Sequence, residues 1–312
     1  MNHFMKQRYP IALFSTIALS VAIVLTSCSG LKSSSQSQTQ NGKIAVSVTF
    51  DAMAEFAKAV GGNHVSITTI IPDGTEPHDF EPKAKDMAKL TTAKVFIYNG
   101  LGMENWASKA ISSANNSSLV TVDASNGTVP LKETSDEDNK GKNDPHVWLS
   151  LQGAETEVNN IGAGLEKADP AHASDYKKNV QTFTENLEQL RQEYMTKFQS
   201  APRKDFVTGH AAFAYLCRDF SLKQNSVEDV FASGEPSASR LTDLIQYCKD
   251  NQVKTIFSEK MVSPAVSNTL AKEVGAKVKT IYTIESKEDN KSYLERIKQD
   301  LDEIDAALTE SR

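Results

Sequence analysis

Residues 43–71 read KIAVSVTFDAMAEFAKAVGGNHVSITTII. A β-rich run, KIAVSV, gives way to the helical pattern DAMAEFAKAV, and a second β-rich run, HVSITTII, follows. Strand, helix and strand in that order predict parallel strands with a helix packed across them. The same alternation continues outward: KAKDMAKL reads as a helix, AKVFIYN as a strand, MENWASKAI as a helix and SLVTV as a short strand. After residue 201 a second series repeats it, with the strand-like runs KDFVTG, LKQNSV, VKTIFS and AKVKTIY each followed by a helical pattern, the last from about Lys291. The chain is therefore expected to be α/β, with two lobes, 43–168 and 201–312, each a mostly parallel sheet flanked by helices.

Between the lobes, residues 169–200 predict one long rigid helix. Asp169 is placed to cap it with Pro170 at its first position. Tyr176, Val180, Phe183, Leu187, Leu190, Tyr194 and Phe198 then recur every three or four residues. A rod of roughly 43 Å is long enough to run along both lobes. A coiled-coil dimer is the alternative, but the charges show no pairing pattern, and an intramolecular strut in a monomer is preferred.

The chain has 312 residues and a net charge of −6. Residues 1–27 read as a signal peptide: Lys6 and Arg8 precede the apolar run Ile11–Leu25, which is shorter than the ~20 residues that span a bilayer. Removing them takes the charge to −8, which disfavours nucleic acid and charge-driven membrane binding. Leu25-Thr26-Ser27-Cys28 resembles a bacterial lipobox, which implies a lipid-modified Cys28 and an extracytoplasmic protein anchored to the cell membrane. The polar segment 29–42 then reads as a flexible tether. Cys217 and Cys248 are left either to pair or to lie buried as thiols. The acidic stretch 133–144, ETSDEDNKGKND, has nothing large to bury and reads as a mobile surface loop.

The six histidines divide into two groups. His3 leaves with the signal peptide, and His64 and His172 read as surface residues. His78 follows VSITTII through a short loop, His146 lies in DPHVWL, and His210 comes directly after DFVTG. Glu259 ends VKTIFSE and Glu285 lies just past VKTIY. Ligands of open α/β sheets gather beyond the carboxyl ends of strands, so both lobes offer metal-capable groups at the same kind of edge. Imidazole and carboxylate together suit zinc, or manganese and iron with more oxygen.

The motifs PDGTEPHDFEPKAKDMAKL, VFIYNGLGMENW, NDPHVWLSL, GHAAFAYLCRDFSL, SGEPSASRLTDLI and IFSEKMVSPAVSNTLAKEVGAKV occur in that order. In this the chain resembles the substrate-binding lipoproteins of zinc and manganese ABC importers. The resemblance implies two lobes joined by a long helix, Zn2+ as transported ligand with Mn2+ as the alternative, and a permease with its ATPase as partners. It assigns ligation to His78, His146 and His210. The family's fourth ligand, an aspartate, aligns near Tyr282, and a phenol is a poor ligand at neutral pH. Glu285 is the substitute, with water or an open position as the other reading. Glu259 matches a family acid that orients a ligand, while Glu76, Asp79 and Glu81 are left to shape or solvate their loop. The rival class is a zinc hydrolase with Glu259 or Glu285 as general base. The chain has no H-E-x-x-H, no G-x-S-x-G and no phosphate-binding glycine loop to support it.

Overall fold

The computed structural model describes residues 42–134, 139–232, 237–260 and 263–310. The leader, the lipobox and nearly all of the tether lie outside these residues. The first lobe contains β1 (Ile44–Val48), α1 (Asp51–Gly61), β2 (Val65–Thr69), α2 (Ala84–Met87), β3 (Val95–Tyr98), α3 (Ala107–Ala114), β4 (Val120–Asp123) and α4 (Leu151–Ala168). Its strands form one parallel sheet in the order β2-β1-β3-β4. α5 (Ala173–Ser200) follows, and the second lobe runs through β5 (Asp205–Thr208), α6 (Ala214–Phe220), β6 (Lys223–Ser226), α7 (Ala238–Asp250), β7 (Thr255–Glu259), α8 (Pro264–Val274), β8 (Lys277–Ile281) and α9 (Tyr293–Thr309). Its sheet is also parallel, in the order β6-β5-β7-β8, so the two lobes repeat one topology.

The strand-like runs became strands because their β-branched residues pack on a sheet covered by helices. Val46, Val48, Val95, Ile97, Val207 and Ile256 are buried. α9 starts where Ser292 and Glu295 form a capping box, each closing on the other's backbone N–H.

The connecting helix departs from expectation at its start. Asp169 and Pro170 stand at the cap and first position not of α5 but of a 3-10 turn, Pro170–His172, and α5 begins at Ala173 and spans 28 residues. The side chain is turned elsewhere: Asp169 Oδ2 accepts from Tyr176 Oη at 2.8 Å and pairs with His172 Nδ1 at 2.7 Å, and the carboxylate makes no bond to the backbone N–H groups of the first turn. Tyr176, Phe183, Leu187, Tyr194 and Phe198 are buried along one stripe of α5. Phe183 meets Phe56 of α1 and Tyr293 of α9 at centroid distances of 5.8 and 5.9 Å, while Phe198 meets Phe220 of α6 at 5.0 Å. One continuous apolar cluster thus runs from the first sheet past α5 and α9 into the second lobe, which makes the connector a packed strut.

Two other expectations change. His64 and His172 are not independent surface residues: their rings stack at 3.9 Å and His64 Nε2 lies 2.9 Å from Asp175 Oδ2. Residues 135–138 of the acidic loop lie outside the described residues, but its flanks are pinned. Lys132 and Asn143 form an antiparallel bridge, and Glu133 is buried with Oε2 3.4 Å from the N–H of Val230. Cys217 and Cys248 are buried free thiols.

Candidate metal centre

His78 sits in the loop after β2, His146 just before the turn leading to α4, His210 two residues past β5, and Glu285 four past β8. The shared topology brings both sheets' carboxyl edges to one seam, and these four side chains converge there. One donor atom from each lies within 4.8 Å of the others. His146 Nε2 is 3.2 Å from His78 Nε2 and 3.3 Å from His210 Nε2, and Glu285 Oε1 is 3.4 Å from both His78 Nε2 and His146 Nε2. Four donors at about 2.0–2.1 Å from a tetrahedral ion stand about 3.3 Å apart, so these spacings fit one small cation. His146, His210 and Glu285 are buried, and only 4% of the His78 side chain is exposed.

Each donor is aimed by something else. Asp144 Oδ1 accepts from the His146 backbone N–H and faces Nδ1, both at 2.9 Å, which sets the tautomer that leaves Nε2 free toward the seam. Asp144 was missed in the sequence, although an aspartate two residues before a candidate ligand was a usable signal. Glu76 Oε1 accepts from the His78 N–H at 3.1 Å, whereas Asp79 and Glu81 are exposed. Glu259 meets His210 through the backbone: Oε1 accepts from the His210 N–H at 3.2 Å and stands 3.8 Å from Nδ1. A Cβ on Gly209 would come within 2.0 Å of Glu259 Oε2, so only glycine lets this carboxyl reach His210.

Glu285 reaches inward because the backbone turns at Ile284, where φ is 56°. A buried β-branched residue in this left-handed conformation costs about 1–3 kcal/mol and persists only where its surroundings hold it. Thr283 Oγ1 donates to Glu285 Oε2 at 2.7 Å, leaving Oε1 for the seam. Tyr282 points elsewhere, with its hydroxyl 2.9 Å from Asp289 Oδ2.

The charges are tightly linked. Burial works against a charged His146, but the Asp144 and Glu285 carboxylates outweigh it and push its pKa up to about 9. Burial holds His210 down at about 3. Burial would raise Glu285, yet His146 and His78 pull it well below the usual carboxylate range. Burial pushes Glu259 up to about 8. His146 therefore keeps a proton at neutral pH beside the Glu285 carboxylate, and a bound cation would displace it.

The family model described as zinc-uptake complex component A, ZnuA, matches residues 46–307. This chain belongs to the ZnuA family. The high-affinity zinc uptake system protein ZnuA of Bacillus subtilis is 35% identical over 92% of this chain and 94% of its own. The Zn(II)-bound ZnuA-like domain of Streptococcus pneumoniae AdcA superposes with a TM-score of 0.74 at 33% identity, covering 86% of this chain and 100% of that one. The laminin-binding protein Lmb of Streptococcus agalactiae, described as having adhesin and metal transporting activity, superposes with a TM-score of 0.79 at 32% identity, over 85% and 99%. The two-lobe arrangement of parallel sheets is that of these ZnuA-like receptors.

Proposed function

We propose that this ZnuA-family chain is the extracytoplasmic receptor of a zinc ABC importer, capturing one Zn2+ between His78, His146, His210 and Glu285 for the membrane permease and its ATPase. The observation that carries the reading is the convergence of three imidazole nitrogens and one carboxylate oxygen, two from each lobe, all within 4.8 Å of one another and with His146 Nε2 3.2–3.4 Å from each of the others. This donor set favours zinc over manganese, which takes more oxygen and lies lower in the divalent affinity order. Four protein donors leave no open position for a reacting water, so the arrangement supports binding rather than hydrolysis. A lipid on Cys28 and the tether 29–42 would keep a monomeric receptor beside its permease. The working division is a first lobe to residue 168, a connector over 169–200 and a second lobe from 201.

The test is metal analysis with competitive zinc and manganese titration of the metal-free chain. One tightly bound zinc per chain is expected, preferred over manganese by about 100-fold or more. Because His146 holds a proton below about pH 9, zinc must displace it. Between pH 6 and 8 the apparent zinc affinity is therefore expected to rise about tenfold per pH unit, with about one proton released into the buffer. Equal affinities for the two metals would overturn the zinc assignment, and a flat pH profile would overturn the protonation scheme.

A further inference from the structure

Glu285 belongs to the second lobe by sequence, yet hydrogen bonds from the first lobe bracket it. Trp148 lies two residues past His146, fully buried in the turn Val147–Leu149. Its indole Nε1–H donates to the carbonyl of Thr283 at 2.7 Å. Beyond Glu285, the N–H of Gly74 donates to Ser286 Oγ at 2.7 Å. The left-handed Ile284 and Glu285 itself are thus held between two contacts that cross the seam. Trp148 is fixed in turn: Tyr293 Oη donates to its carbonyl at 2.5 Å, and Phe50 meets its ring edge to face at 4.8 Å.

We propose that Trp148 is a positioning residue that sets the metal selectivity of the centre by holding Glu285 as a single inward-facing oxygen donor. The proposal rests on the four-donor reading above. The indole is a donor only, and no phenyl ring can replace its bond to a buried carbonyl. With that bond in place, the Thr283 hydroxyl holds Glu285 Oε2 and one oxygen, Oε1, faces the His78 and His146 imidazoles at 3.4 Å. Such a site is tight, oxygen-poor and fitted to four-coordinate zinc. Without it, the Ile284 turn relaxes, and the carboxylate can swing to give two oxygens or admit water, a shell that suits manganese. Displacements of about 0.5 Å are enough to spoil a metal geometry.

The test is a double-substitution cycle on zinc affinity in the full chain, using Trp148→Phe, Glu285→Gln and the pair, with manganese titrated in parallel. Trp148→Phe is expected to weaken zinc about 10–100-fold, the usual effect of losing a group that aims a metal ligand, while manganese affinity changes much less. The pair should bind zinc no more weakly than Glu285→Gln alone, whereas Trp148→Phe combined with His210→Ala should show independent losses. The cobalt(II)-loaded Trp148→Phe protein should show weaker visible absorption, as coordination rises above four. If Trp148→Phe does not fold, Tyr293→Phe frees the Trp148 carbonyl and is expected to show the same coupling to Glu285→Gln. Independent losses for Trp148→Phe and Glu285→Gln, or an unchanged zinc-to-manganese ratio, would overturn the positioning role. A Glu285→Gln chain that binds zinc as tightly as the parent would instead overturn the four-donor reading beneath it.

Discussion

Replacing His210 with alanine is expected to weaken zinc binding by more than about 100-fold, beyond the range typical of groups that only orient a ligand. The side chain is buried, its Nε2 stands 3.3 Å from that of His146, and burial keeps the imidazole neutral and ready to donate its lone pair. His172→Ala is the informative control. That ring also contacts a carboxylate and another histidine, but on the turn before α5, where 35% of its side chain is exposed. Its loss should leave zinc affinity unchanged. Competitive titration with a chromogenic chelator separates the two outcomes, and equal losses would refute the assignment of His210.

The largest effect on stability is expected at Asp51. Arg296 of α9 is fully buried, and its Nη1 lies 2.7 Å from Asp51 Oδ2 at the start of α1, so one ion pair joins the two lobes. Burial raises the Asp51 pKa despite the adjacent guanidinium, so the attraction does not fully offset desolvation. Removing one partner is nevertheless severe, because the other is left charged in the interior: Asp51→Ala should destabilise the metal-free protein by about 3–5 kcal/mol. Replacing both, as Asp51→Ala with Arg296→Met, should restore most of that loss. Urea denaturation followed by circular dichroism reads both, and a double variant as unstable as Asp51→Ala would contradict this account.

The sequence was most informative where its signals were local. Runs such as KIAVSV and VKTIFS carried the strands, and the aromatic stripe from Tyr176 to Phe198 carried the strut, because burial on one face imposes a period that survives in the order of residues. His78, His146 and His210 stood out by position. What stayed hidden depends on pairs far apart in the chain. The stack of His64 on His172, the indole of Trp148 on Thr283 and the seating of Glu133 against Val230 have no local signature. Glu285 was an open choice for the same reason: its direction depends on a left-handed turn at Ile284, a conformation no β-branched residue favours by itself. At the start of the strut Asp169 and Pro170 hold the expected positions, but on a 3-10 turn ahead of α5, and the Asp169 side chain turns its Oδ2 to His172 and Tyr176 instead of to the backbone.

A single zinc ion held by three imidazoles and one carboxylate between the lobes has a distinctive scattering signature. X-ray absorption of the zinc-loaded chain tests it most directly. Four nitrogen and oxygen donors at about 2.0–2.1 Å are expected, with the outer-shell scattering of three imidazole rings, reduced to two in His210→Ala. A sulfur shell at about 2.3 Å, or a six-coordinate spectrum with fewer than three imidazoles, would contradict it.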